Sequence, residues 1–244
     1  MSTAVPKLTS ILMKQVTFKI RSYSGMIWTL MVMQLLGSLM AGPSGGGGSI
    51  GSISYSFTSY NANSIIVLTM LWILVSSIIM TTKAYQRDDY TFVTTRKTSH
   101  FSNGLILLLA SFFGALTAML SSHVIRVIYL IRAEEGLITI ASYSVMDWLV
   151  GFSVTLLYLI LLGAVGYTIG MLFQIHVYFR VALVILVFSF FFLGGIINVG
   201  LIESLVQFYI MEPSFLLFTS KIIITTGMLF ILTILITDRL EVRS

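Results

Sequence analysis

Cysteine is absent from the 244 residues, so thiol redox chemistry, thiolate metal sites and disulfide-held loops are excluded. Charge is scarce as well. Asp, Glu, Lys and Arg make up 9% of the chain, against about 25% in an ordinary soluble domain. A soluble fold of this size could not cover its surface with so few charges. With 57% hydrophobic residues and a mean hydropathy of +0.99, most of the chain has lipid as its solvent. The N-terminus does not read as a signal peptide: Lys14, Lys19 and Arg21 interrupt its apolar residues, and no cleavage site follows at the usual distance.

What is present is a series of apolar runs. Residues 7–23 have helical periodicity, with Leu8, Ile11, Leu12, Val16 and Ile20 on one side and Lys7, Ser10, Lys14, Thr17 and Arg21 on the other. That pattern suits an amphipathic helix in the membrane interface, although Lys19 falls among the apolar residues. The spans expected are 26–41, 64–82, 104–122, 148–173, 181–199 and 218–237, with helix continuing past Arg126 after the third. The first is short against the roughly 20 residues needed to cross a bilayer. Residues 42–52, GPSGGGGSIGS, read as a flexible, uncharged loop. The stretch from Asn198 to Phe218 is too apolar for a free loop, yet it carries Glu203 and Glu212. It reads as one or two short re-entrant helices at the outer interface, or as an interfacial turn with both acids in water. The expected fold is therefore an all-α polytopic membrane protein forming a single transmembrane domain.

Basic residues set the orientation. With the N-terminus in the cytoplasm, the inner segments hold Lys7, Lys14, Lys19, Arg21, Lys83, Arg87, Arg96, Lys97, Arg180, Arg239 and Arg243. Those are eleven of the 14 basic residues. Arg126, Arg132 and Lys221 fall outside, with Glu134, Glu135, Asp147, Glu203 and Glu212. Both termini are thus expected in the cytoplasm, in a multi-pass protein of the cytoplasmic membrane.

No catalytic constellation is evident. Gly42-Pro43-Ser44-Gly45 spells the GxSG of intramembrane serine proteases, but that chemistry needs a histidine base at the depth of the serine. His100 and His176 fall at the inner face, and His123 is followed by Arg126 rather than set in a dry site. Glu134-Glu135 begins an EExxxR pattern that fails at Thr139. No HExxH occurs, and no GxxxxGK[ST], so the chain itself has no Walker motif for ATP. No cofactor or metal is expected on the chain, and no nucleic acid as partner. The interiors of the expected spans read as free of charge, whereas carriers driven by ion gradients place ionisable groups there. If such a chain moves a solute, its energy enters from outside the membrane.

The only long polar segment between apolar runs is Lys83 to Asn103, KAYQRDDYTFVTTRKTSHFSN. A helix over 84–98 would set Tyr85, Asp88, Asp89 and Phe92 on neighbouring faces. Its early acids suit the helix dipole, and its Tyr85/Phe92 edge suits a helix-in-groove contact. The alternative is a solvated loop whose basic residues only fix orientation.

This layout resembles, over essentially the whole chain, the permease subunit of type-2, exporter-like ABC transporters. The loop between spans two and three in that family holds a coupling helix that seats on the ATP-binding subunit. Arg87-Asp88-Asp89, Phe92-Val93, Thr94 to Lys97 and Asn103-Gly104 fill the places of its pattern, and Leu156 to Phe173 is similar to its Gly-spaced fourth span. The Gly and Pro common in the family's loop are missing here, and the four-glycine run is not part of the pattern. The resemblance implies docking of ATP-binding subunits, which carry the ATP and Mg, through Tyr85, Arg87, Asp88, Asp89, Phe92 and Arg96. It implies a second permease, identical or homologous, and helix approach at Gly151, Gly163, Gly166 and Gly170. Phe188, Phe190, Phe191 and Phe192, with Glu203, are candidates for a substrate path or gate, or for plain packing. An apolar path suits export of an amphipathic peptide, a lipid-like molecule or a hydrophobic drug. Two other classes stay open: a polytopic, protease-like membrane enzyme, and a non-transporting scaffold or immunity protein.

Overall fold

The computed structural model describes residues 8–41, 43–50, 53–60, 63–83, 85, 96–132, 144–175, 178, 181, 185, 207–209, 212 and 214–240. In chain order the elements are α1 (Leu8–Ser22), α2 (Ser24–Met40), strands β1 (Pro43–Ile50) and β2 (Ile53–Tyr60), α3 (Asn63–Met80), α4 (Arg96–Arg132), α5 (Val145–Ile175) and α6 (Phe215–Leu240).

Among the described residues, four segments are long and apolar enough to cross a membrane: Asn63–Met80, Thr98–Ile125, Val145–Gln174 and Phe215–Thr237. A fifth crossing arises if Gln15–Ser22 and Gly25–Met40 count as one span, bent by 49°. The bend falls at Tyr23, whose N–H donates to the Lys19 carbonyl (2.7 Å) while its own carbonyl accepts from Met26 N–H (2.8 Å). Eighteen residues of α3 rise about 27 Å at 1.5 Å each, close to the ~30 Å hydrocarbon core. The protein is a helical, polytopic membrane protein. Four of the expected spans coincide with α3 to α6. The expected first span corresponds to α2, and 181–199 lies outside the described residues apart from positions 181 and 185.

Helix ends follow local chemistry. Before α5, the Ser144 N–H donates to Asp147 Oδ2 (3.1 Å) and Met146 N–H donates to Ser144 Oγ (3.3 Å), a reciprocal cap. The third apolar run was expected to begin at Gly104, but α4 starts at Arg96 and runs unbroken to Arg132. No proline interrupts 96–104, and the polar residues there are tolerated because they turn inward: Thr98, His100, Ser102 and Asn103 are all buried.

One expectation is corrected. Within the expected flexible loop, Pro43–Ile50 forms β1, which pairs antiparallel with β2 from Pro43↔Tyr60 to Ile50↔Ile53, a two-stranded hairpin in an otherwise helical fold. On α1, Val16 of the expected apolar side is buried and Thr17 and Arg21 of the polar side are exposed; Lys19, which falls among the apolar residues, is buried with Gln15 at 2% and 1% exposure, whereas Ile20 faces outward. In lipid the apolar residues can face the solvent, so the helix can turn its polar residues toward protein.

The chain forms two compact units. One comprises Met1–Ile73 with Leu105–Leu159, the other Leu74–Gly104 with Ile160–Ser244. In the first, α2, α3 and α4 meet closely. A side chain at Gly37 would come within 2.8 Å of the Ile65 Cα. The Gln34 amide donates to Thr117 Oγ1 at 2.9 Å, with Thr69 Oγ1 and the Gly114 carbonyl each at 3.4 Å. Trp72 Nε1 donates to Thr29 Oγ1 (3.0 Å), and Ser64 Oγ to the Gly37 carbonyl (2.8 Å). Between apolar helices in lipid, such polar contacts and small residues supply the association that hydrophobicity cannot.

Candidate functional site: the platform under the polar segment

The second unit contains both stems of the Lys83–Asn103 segment, and both rest on one stretch of α5, Gly166 to Gln174. The α3 stem packs on its glycines. A Cβ at Gly166 would overlap Ser77 Oγ and lie 2.5 Å from the Leu74 carbonyl oxygen. At Gly170 it would overlap Thr81 Oγ1 and lie 3.1 Å from the Ile78 Cα. Glycines four apart on α5 thus face Ser77 and Thr81, also four apart on the chain. One turn further, the Gln174 amide donates to the Thr81 carbonyl, which the end of α3 leaves without a helical partner.

The α4 stem is held by hydrogen bonds. Tyr167 is buried, and its hydroxyl oxygen accepts from Asn103 Nδ2 at 3.1 Å. His100 Nδ1 lies 2.8 Å from the same oxygen. With the oxygen accepting from Asn103, the phenol proton can go to His100 Nδ1, which puts the neutral imidazole's proton on Nε2. The two rings meet edge to face at 6.0 Å. On its other side Tyr167 stacks on Phe230 of α6 (6.1 Å, 18°), and Phe230 fills the space that Gly104 leaves open. The hydroxyls of Thr168 and Thr233 join α5 to α6 at 3.1 Å. Tyr167 and its neighbours therefore bind three helices through polar atoms that lipid could not satisfy.

Of the proposed docking residues, Tyr85 is half-buried beyond the end of α3, and Arg96 is the first residue of α4. Residues 96–98, the last turn of the expected 84–98 helix, are continuous with α4. Arg87, Asp88, Asp89 and Phe92 lie outside the described residues, as do Phe188, Phe190, Phe191, Phe192 and Glu203. Ser44 lies in β1, and His123 is an exposed residue of α4. Among the described residues, no three of His, Asp or Glu come together as metal ligands.

Lys221, expected on the outer side, lies near the start of the apolar Phe215–Thr237 segment, paired with Glu212 and 4.0 Å above the Phe208 ring. Tyr209 Oη and Thr225 Oγ1 are 2.9 Å apart. Phe208, Tyr209 and Glu212 are thereby clasped to the first turns of α6, and the cation is paired where it meets apolar surroundings.

The sequence reading gives Tyr167 no role and places Asn103 only with Gly104 at the start of the third span. The available signal was polar residues at positions bracketed by glycines within an apolar run: Tyr167 in GAVGYTIG, and Asn103 before Gly104. No protein-family model, curated protein or solved structure matches this chain.

Proposed function

We propose that the chain is the transmembrane permease subunit of an ATP-driven transporter of the exporter-like ABC class. In this reading the segment between α3 and α4 docks separately encoded ATP-binding subunits, and the chain pairs with a second permease in the cytoplasmic membrane. The observation that carries it is the joint anchoring of that segment's two stems. The α3 stem sits on Gly166 and Gly170, and the α4 stem on Tyr167. A force applied to the polar segment would reach α5 through both stems at once, and α6 through Tyr167–Phe230 and Thr168–Thr233. A loop that only joined two spans would need no such platform.

ATP binding would draw the two ATP-binding subunits together, and the segment would pass that motion to α3 and α4. The exported cargo class, amphipathic or hydrophobic, follows from the apolar composition. A physiological cargo that proved to be an ion or a small sugar would remove that part. Reading of the docking surface is tested by Asp88→Lys with Asp89→Lys and Phe92→Ala. The combined variant should lose co-purification with the ATP-binding subunit while keeping its membrane insertion. Unchanged assembly and unchanged cargo-stimulated ATPase activity would overturn the docking role. A complex whose ATPase never responds to cargo would favour the scaffold reading instead.

A further inference from the structure

The hairpin carries a pattern that neither the docking reading nor the helix packing uses. Cross-strand partners share a face of the ladder, and successive residues alternate between faces. The pairs Ile50↔Ile53, Gly48↔Tyr55 and Gly46↔Phe57 fall on one face, and Ser49↔Ser54, Gly47↔Ser56 and Gly45↔Thr58 on the other. Over these six pairs next to the turn the large apolar positions thus lie on one side, and hydroxyl residues and glycine on the other; at the open end Ser44↔Ser59 continues the first face and Pro43↔Tyr60 the second. Ser49, on the hydroxyl side, is exposed.

Two constraints say what meets the apolar side. The first is position. Two residues separate Met40 of α2 from Pro43, and two separate Tyr60 from Asn63 of α3, so both hairpin ends are tied to the ends of apolar helices. The second is the absence of ions: no charged residue occurs between Arg21 and Lys83. A two-stranded hairpin is marginal in water by itself, and four consecutive glycines weaken its first strand further. It needs an apolar surface to form against, and the bilayer lies within two residues of both ends. Its outer edges rule out deeper burial, because unpaired N–H and C=O groups are not tolerated in hydrocarbon. The headgroup zone supplies partners for them and is where aromatic residues concentrate.

We infer that this hairpin is an interfacial membrane anchor, lying on the bilayer surface with positions 53, 55 and 57 toward lipid and 54, 56 and 58 toward water. The partner is the lipid interface itself, and no second protein is required. The cysteine-free chain allows a direct test. Single cysteines at 53 to 58 of the full-length protein carry a nitroxide label in phosphatidylcholine/phosphatidylglycerol vesicles. Contact with oxygen, which concentrates in lipid, should be higher at 53, 55 and 57. Contact with a water-soluble nickel chelate should be higher at 54, 56 and 58, with a period of two. Where Phe57→Cys fails to fold, Ile53→Cys and Tyr55→Cys report the same phase. The inference is overturned if all six positions are aqueous, if the phase is reversed, or if 53, 55 and 57 are closed to both reagents, as under a protein cover.

Discussion

Tyr167 joins three helices through one side chain, so its removal separates two kinds of contact. Tyr167→Phe keeps the stack on Phe230 but withdraws the hydroxyl from His100 and Asn103. Leaving buried polar groups without that partner costs about 1–3 kcal/mol, which thermal unfolding in detergent should register as a lowered Tm. The glycines offer a sharper contrast. Gly166→Ala drives a methyl into the Leu74 carbonyl and Ser77 and should destabilise by about 1–3 kcal/mol. Gly227→Ala on α6 meets nothing within 4 Å and should be neutral or stabilising by up to about 1 kcal/mol through helix propensity. Equal effects at the two positions would deny that the α5–α3 approach needs glycine. The glycine spacing on this helix was legible in the sequence, because small residues four apart in an apolar run have few other uses. The hydroxyl hub was not, because a tyrosine in such a run has the same letters whether it meets lipid or a histidine 67 residues away in the chain.

At the scale of elements, long apolar runs announced α3 to α6, and the largest shift of a start is that of α4, where buried polar residues extend the helix back to Arg96. In α1, periodicity placed Lys19 among the apolar residues, and it is buried on the same side as Val16; the outward Ile20 was not legible, because lipid accepts what a soluble core would claim. The hairpin escaped. In 43–60, the glycine and serine of β1 masked a strand, although Ile53, Tyr55 and Phe57 alternate in β2. The two-residue Gly51-Ser52 connection also has the composition of tight hairpins. The clasp on α6 makes its own prediction. Lys221→Met alone leaves Glu212 with its charge unpaired. Its cost should fall between the ~1 kcal/mol of an exposed pair and the roughly 3–5 kcal/mol of a buried one. Adding Glu212→Gln should recover part of that loss in a double-mutant cycle followed by unfolding. A double variant less stable than the sum of the singles would rule out a neutralising pair.

For the whole molecule, the distribution of lysine and arginine predicts that both termini share the cytoplasmic side. Cysteines placed at Ser2 and at Ser244 should both react with a membrane-impermeant reagent only after the membrane is opened. One terminus reacting in intact cells would mean an odd number of crossings. The central claim concerns the segment between α3 and α4, whose stems both rest on α5. Its most direct test is a single cysteine at Phe92, with a short bifunctional crosslinker applied to membranes containing the complete transporter. The expected product joins this chain to an ATP-binding subunit, and its yield should change when ATP is added. A cysteine at Phe92 that is freely alkylated and never crosslinked, in a complex shown to hydrolyse ATP, would contradict the proposed docking.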